Sequence, residues 1–167
     1  MRGRLIQRLV CVIRQLDAVA TAAVPGGGFD PEFDEPIQVN DGTQAGSSSR
    51  REKAALRLPC QVDRQGWGID LITRGGHEEQ SSIILTLHMQ DVEDKGLIGS
   101  TGAPTIMAGD RIEAIEDLSG VLQESFPDPP GLFVNTVERA GHGLNMAGTP
   151  RFNLLILTCG PARQGAP

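Results

Sequence analysis

From Leu56 to Cys159 the chain is a succession of short segments in which apolar and polar residues alternate. Two of them, LRLPCQV at 56–62 and SIILTLHM at 82–89, place their apolar side chains on one face with a period of two. Turn residues separate these from DRIEAIED, VLQESF, GLFVNTVE and FNLLILTC. The pattern predicts a mainly β fold, a small β-barrel or sandwich of about five to six strands.

A length of 167 residues allows one such domain with its appendages. One short helix is predicted in QDVEDKGLI, because acidic residues fill its first turn and Lys95 and Gly96 mark its end. The chain divides into four parts: an N-terminal strand or helix at 1–24, an arm at 25–53, a β-barrel core at 54–160 and a flexible tail at 161–167.

The N-terminal part has an ambiguous period. A helical spacing of apolar residues from Leu5 to Val19 competes with the β-branched density of RLVCVIRQL, and we favour a strand over residues 9–16. Several arginines stand here against the single acid Asp17. They are either solvated at a strand edge or contact an acidic neighbour in another subunit. The candidates for such a contact are Arg4, Arg8 and Arg14.

Residues 25–53 form an arm rich in glycine, proline, serine and acidic residues, which cannot bury enough apolar surface to fold alone. So long a connection in a compact domain is usually functional or disordered. An arm that becomes ordered against neighbouring subunits fits both descriptions, and Phe29 and Phe33 are its candidate subunit contacts.

The same arm holds the pattern most similar to a metal site. Carboxylates recur at Asp30, Glu32 and Asp34, with Asp41 farther along. A calcium loop of the EF-hand type needs glycine at its sixth position, where Glu35 stands. We interpret these acids as an acidic loop and as weak metal candidates only, and we expect no cofactor. A metal-dependent hydrolase that uses them is the alternative.

The remaining composition argues against several classes. Aromatic residues make up only 4% of the chain, too few for a platform that stacks bases, and a formal charge of −6 opposes tight phosphate binding. Three scattered cysteines without a CxxC pair predict buried reduced thiols rather than a disulfide framework or a zinc site. Arg8 and Arg14 interrupt the signal-like N-terminal stretch, so we expect a product made in the cytoplasm without a membrane segment.

The segment GDRIEAIEDLSGVLQESF carries several charged side chains but no evident chemistry. Its clearest apolar pair is Ile112 and Ile115, and LSG is a predicted turn. No nucleophile and base stand together in this part of the sequence, so we expect no enzyme. The residues predicted to lie at a strand edge or in solvent are Asp110, Arg111, Glu113 and Glu116.

The order of the elements carries a resemblance to a known family. An arginine-flanked first strand, RGRLIQRLVCVIRQ, precedes PCQVD, an irregular stretch, SIILTLHM, a hairpin that begins GDRIEAI, and a last strand RFNLLILTC. This order resembles the head-closure, or stopper, proteins of tailed bacteriophages over Arg57 to Cys159 and the first strand. The resemblance implies a structural virion protein that forms a homo-oligomeric ring, a hexamer or a dodecamer, in the phage neck.

In that family the ring lies below the portal and its adaptor, seals the channel after DNA packaging and docks the tail tube or tail-terminator protein. Double-stranded DNA passes through without sequence-specific binding. The segment between the second and third main strands tends to face the channel, which here corresponds to 63–80. Its charged candidates for facing the channel are Asp63, Asp70, Arg74, His77, Glu78 and Glu79.

Trp67, in the same segment, is interpreted either as a subunit contact or as a core residue. The chain departs from a minimal member of the family by its acidic arm and by the insertion around EDKGLIGSTGAPTI. A tail-terminator or adaptor protein of the same neck and a non-viral small-barrel binding module therefore stay open as alternatives.

Overall fold

The computed structural model describes residues 9–24, 28–32, 36, 38–39, 47–48, 50–65, 72–73, 76–77, 82–127, 131–144 and 150–160. Its helices are α1 (Ala18–Ala22) and α2 (Met89–Asp94). Its strands are β1 (Leu9–Arg14), β2 (Gln38–Val39), β3 (Ser47–Ser48), β4 (Leu56–Gln65), β5 (Ile72–Thr73), β6 (Gly76–His77), β7 (Ser82–His88), β8 (Arg111–Asp117), β9 (Leu122–Ser125), β10 (Leu132–Leu144) and β11 (Pro150–Gly160).

Six of the strands close into an antiparallel barrel. They follow one another in the order β1–β4–β7–β11–β10–β8, and β8 pairs back with β1. One edge of β8 is shared, because β10 pairs with its first two residues and the additional strand β9 pairs farther along. The prediction of a mainly β chain is confirmed, and a barrel rather than a sandwich is formed.

The interior of the barrel contains the alternating residues that the sequence indicates. In β4 and β7 the buried side chains recur with a period of two, as predicted, and Thr86 and His88 occupy the other face. Every long strand contributes to one continuous hydrophobic core. Its fully buried members are Cys11, Ile13, Leu58, Cys60, Leu85, Leu87, Val92, Ile112, Leu155, Leu157 and Cys159.

The N-terminal segment supplies a barrel strand, β1, followed by the single turn α1. Val10 and Val12 are buried although they do not belong to the interior core, because β1 lies between β4 and β8 and is covered on its outer face as well. An ion pair between Arg57 of β4 and Glu116 of β8, 2.6 Å apart, bridges this outer face. Burial on both faces is the reason why β1 shows no alternation.

The two ends of the barrel differ. We call "the plugged end" the one where β1 and β7 end and β4 and β8 begin; there α2 contacts β4, β7 and β11. Its Val92, with Leu97 and Ile106 of the following loop, belongs to the hydrophobic core. We call "the mouth" the opposite end, where β1 and β7 begin and β4 and β8 end.

Among the described residues, no helix has both the length and the apolar content that crossing a bilayer requires.

Candidate functional site

A pocket of about 410 Å³ opens at the mouth. The start of β1, the end of β4 and the β8–β9 hairpin enclose it. Mouths of β-barrels are common sites for ligands and partners, because the side chains there point inward without being needed in the core. The residues that line it are Leu9, Val62, Asp63, Arg64, Ile115, Gln123 and Glu124.

The alternation of the strands explains this lining. On β4 the period of two carries Val62 and Arg64 along the same face as the core residue Cys60. On β9, Glu124 is the register partner of Ile115, whose side chain is in the core. Arg64 and Glu124 form an ion pair that joins β4 to β9. The pocket thus combines apolar side chains with one positive group, Arg64, and two negative groups, Asp63 and Glu124.

The hairpin at the mouth has a turn that its sequence specifies. Asp117 accepts hydrogen bonds through Oδ1 from the Ser119 N–H at 2.8 Å, the Ser119 hydroxyl at 2.6 Å and the Val121 N–H at 2.9 Å. The hydroxyl and these N–H groups lower the pKa of Asp117, so the carboxylate stays charged. Gly120 takes φ 87°, a conformation that other L residues rarely adopt. The predicted turn at LSG is therefore confirmed.

Apolar side chains are exposed on this hairpin. Leu118, Val121 and Leu122 are each more than half exposed. All three stand at the turn or at the first residue of β9, and we call them together the hairpin patch. The outer edge of β9 has no partner strand in the described part of the chain. An exposed apolar tip beside an open strand edge is a typical protein-binding surface.

The plugged end holds a network of ion pairs instead. Glu52 accepts two hydrogen bonds from Arg111, at 2.8 and 2.7 Å, and a third from Arg50 at 2.8 Å. Arg14 donates to Glu113 at 2.7 and 3.3 Å. Burial opposes ionisation of Glu52, but the hydrogen bonds from the two arginines outweigh it, and its pKa is lowered.

Asp110 and Arg111 correct the prediction that this segment lies at an edge or in solvent. Asp110 is 1% exposed, and its two carboxylate oxygens accept the N–H groups of Leu16 at 2.9 Å and Met107 at 3.0 Å. Burial raises its pKa, against the effect of these donors. The segment around 110 and 111 therefore joins neighbouring segments at the plugged end.

The arm returns to the barrel at the same place. The Arg51 N–H donates to the Thr21 hydroxyl at 3.0 Å, and the Asp17 N–H donates to the Arg51 carbonyl at 2.9 Å. Arg50 stacks over the ring of Phe133, 5.0 Å from its centroid. The acidic partners of Arg14 belong to its own chain, so its ion pairs are intramolecular.

Of the predicted channel residues, only Asp63 has a described side chain, and it lies exposed at the mouth. His77 lies in β6, of which only the backbone is described. In the arm, Phe29 bridges to Pro36, and Asp30 accepts the Glu32 N–H at 2.8 Å. The predicted residues outside the described part are Arg4, Arg8, Phe33, Asp34, Asp41, Trp67, Asp70, Arg74, Glu78 and Glu79.

The three cysteines are reduced and buried, as predicted. Cys11 and Cys60 lie on the neighbouring strands β1 and β4, and the Cys11 thiol donates to the Leu58 carbonyl at 3.5 Å. Contact with the Cys60 thiol and burial raise the pKa of Cys11 well above its usual value. Burial raises that of Cys159 to about 12. The raised pKa makes the thiols of Cys11 and Cys159 poor nucleophiles.

Metal ligands are not grouped in the described residues, where no three histidine, cysteine or acidic side chains come together. Comparisons of the chain with family models, with curated proteins and with solved structures found no match.

The sequence alone does not single out two groups of site residues, and only the first group has a local sequence signal. Leu118, Val121 and Leu122 flank a serine–glycine turn, and apolar residues around such a turn are a signal for an exposed contact surface. Glu52 and Arg111 are 59 positions apart, and no local pattern indicates that they meet.

Proposed function

We propose that this chain is a structural protein of the neck of a tailed bacteriophage. In this proposal, several copies form a homo-oligomeric ring that closes the head–tail channel after DNA packaging. One face of the ring binds the portal or adaptor, and the other binds the tail. The resemblance in element order motivates the proposal, and a tail-terminator or adaptor position in the same neck is its nearest variant.

The hairpin patch and the open edge of β9 are the observation that carries the proposal. The barrel closes on itself, so each of its other long strands pairs with two neighbours, although β10 pairs with β8 only at Leu132 and Phe133. Three exposed apolar side chains beside a free strand edge are a liability for a monomer but useful where copies pair. The proposal assigns this surface to subunit contacts.

The connectivity of the mouth supports a channel role for residues 63–80. β4 ends at the mouth with Gln65, and β7 begins there with Ser82, so the segment between them starts and finishes at that end. Asp63 is exposed beside it. An excess of acidic over basic residues, giving a formal charge of −6, suits a surface past which DNA moves without binding.

The test is the mass of the purified protein over a wide range of concentrations, with imaging of any large species from above. The proposal predicts a closed ring of several copies with an open centre, and mass that rises with concentration towards one fixed value. A monomer at every concentration, with no ring in the images, contradicts a self-assembling neck ring.

A small-barrel binding module is the second candidate, and the pocket of about 410 Å³ favours it. Its apolar residues, with two acids against one base, fit a small amphipathic cation, whose charged group Asp63 and Glu124 would bind. A panel of short alkyl amines and aromatic amines tests this by thermal unfolding. A ligand at a hundred times its Kd stabilises by about 2.7 kcal/mol, and Glu124→Gln should remove that gain. No stabilisation by any member of the panel argues against this candidate.

A further inference from the structure

The exposed large apolar side chains of the described residues fall into two groups. One is the hairpin patch at the mouth. The other consists of Val19 in α1 and Met107 in the loop before β8, each also more than half exposed. We call this second group the α1 patch. Exposed apolar clusters on a soluble protein usually mark contact surfaces.

Shared hydrogen bonds place Val19 and Met107 in one region. Leu16, just before α1, donates its N–H to one oxygen of Asp110, and Met107 donates its N–H to the other. A single buried carboxylate therefore joins the two segments. The arm end is attached to the same region, because the Lys53 N–H donates to the Gln15 carbonyl at 2.9 Å.

The two patches lie at opposite ends of one strand. Met107 precedes β8, and Leu118 follows it directly. At about 3.4 Å per residue, a strand of seven residues separates them by about 20 Å. They are therefore distinct surfaces on the same molecule and cannot cover each other within one copy.

The charges beside the two patches are opposite. The charged carboxylate of Asp117 lies next to the hairpin patch, where Glu116 is already paired with Arg57. Beside the α1 patch, the exposed bases Arg51 and Lys53 outnumber the one acid, Asp17, which caps α1. An excess of negative charge beside one apolar patch is complementary to an excess of positive charge beside the other.

We propose that the hairpin patch of one copy of this chain binds the α1 patch of a second copy, head to tail. This inference rests on the proposed ring, for which it names the subunit contact. A dimer that paired each patch with the same patch of its partner would oppose equal charges. A head-to-tail contact buries both patches in every copy and places Asp117 near Arg51 and Lys53 of the neighbour. Repetition of that contact produces a closed ring or an open filament.

Two variants test the proposal by complementation, and each variant lacks one of the two patches. In the first, Leu118→Asp and Leu122→Asp remove the hairpin patch; in the second, Val19→Asp and Met107→Asp remove the α1 patch. Each variant alone should self-associate more than about tenfold more weakly than the unchanged protein, since a lost contact of 1.4 kcal/mol is a factor of ten. All four side chains are exposed, so thermal unfolding should show that the fold is retained.

The decisive measurement is the mass of an equimolar mixture of the two variants. Each pair retains one intact hairpin patch and one intact α1 patch, so the mixture should give a one-to-one dimer and nothing larger. A control variant, Thr136→Asp on an exposed position of β10, should assemble as the unchanged protein does. A mixture that stays monomeric overturns the head-to-tail contact, as does full assembly of either variant alone.

The outcomes separate this contact from the proposed function. If both variants still form closed rings, the subunit contact lies elsewhere and the ring proposal stands. If the mixture dimerises but the unchanged protein forms open filaments, the contact stands and a closed neck ring is contradicted. A protein that stays monomeric at every concentration contradicts both.

Discussion

Asp110 immediately precedes β8 and Asp117 is its last residue, so the two aspartates mark opposite ends of the same strand. Each accepts backbone N–H groups. Asp110 is buried at the plugged end, where water cannot replace it; Asp117 lies in a turn at the surface of the mouth. Two arginine–glutamate pairs differ in the same way. The Arg111 and Glu52 side chains are 14% and 15% exposed, whereas those of Arg64 and Glu124 are 58% and 32% exposed.

This contrast separates what the protein needs for folding from what it can offer to a partner. Buried hydrogen bonds at the plugged end contribute to the free energy of unfolding, because their loss leaves polar groups without water. The exposed groups of the mouth contribute little to stability. Apolar side chains and a charged pair that stability does not require are available for binding.

The largest expected effect comes from Asp110→Ala. Without the buried carboxylate, the partly buried N–H groups of Leu16 and Met107 lose their acceptors, at about 1 kcal/mol or more each. Asp117→Ala is the matched change at the mouth, and it should destabilise much less because water reaches the freed donors. Urea unfolding of both variants measures the difference. Equal losses would break the contrast between the two ends.

A matched pair of valines measures apolar packing at each end. Val92 is fully buried at the plugged end, whereas Val62 is half-buried at the mouth. Val92→Ala should lower the free energy of unfolding by about 2 kcal/mol, from lost burial and a residual cavity. Val62→Ala should lower it by less than about 1 kcal/mol. Denaturant midpoints at constant m-value give both numbers, and a larger loss for Val62 would show that the mouth belongs to the folding core.

The two ion pairs provide the next comparison. Arg111→Gln leaves Glu52 partly buried without its bidentate partner, and it should cost about 1–3 kcal/mol. Arg64→Gln should change stability by less than about 1 kcal/mol, since exposed pairs are solvated. Double-mutant cycles with Glu52→Gln and Glu124→Gln isolate each coupling. A stronger coupling at the mouth than at the plugged end would contradict the claim that the plugged end contributes more to stability.

The smallest effect is the pH dependence of the plugged end. The lowered pKa of Glu52 means that its stabilisation is present above its ordinary value of 4.5 and is lost as the pH falls below it. Asp110, with a raised pKa, acts in the opposite direction. The difference in stability between the unchanged protein and Glu52→Gln should therefore shrink in acid. Thermal unfolding from pH 7 downward, with Glu124→Gln as the control, checks this; a constant difference would contradict it.

Several elements of the fold could be predicted because each follows from local pattern. The alternation in β4 and β7 appears wherever one face of a strand is buried and the other is not. Helix α2 was predicted from its acidic first turn and from Lys95, which caps it. The turn at LSG follows from a glycine with positive φ after an aspartate that accepts backbone hydrogen bonds.

Other elements could not be predicted because they depend on tertiary contacts. The two faces of β1 are both covered, which removes the alternation that would distinguish a strand from a helix. In β8, the core residues Ile112 and Ile115 are three positions apart and so break the period of two. Both reach the core because the β1–β8 register shifts between Val12 and Ile13. Closure of the barrel by that pairing has no sequence signature.

The candidate site shows the same division. The hairpin patch is readable in principle, since its apolar residues surround a turn. The pocket at the mouth is not, because it needs Arg64 and Glu124 to meet from strands 60 positions apart. The burial of Asp110 likewise depends on the distant segments of Leu16 and Met107 that it joins.

Hydrogen exchange of the unchanged protein at low and high concentration tests the central claim most directly. The account predicts that amides in 17–22, in 105–110 and in 117–125 become protected together as the concentration rises, while the interior strands stay equally protected throughout. Protection that appears at only one of the two patches, or at neither, would contradict a head-to-tail contact between the mouth of one copy and the plugged end of the next.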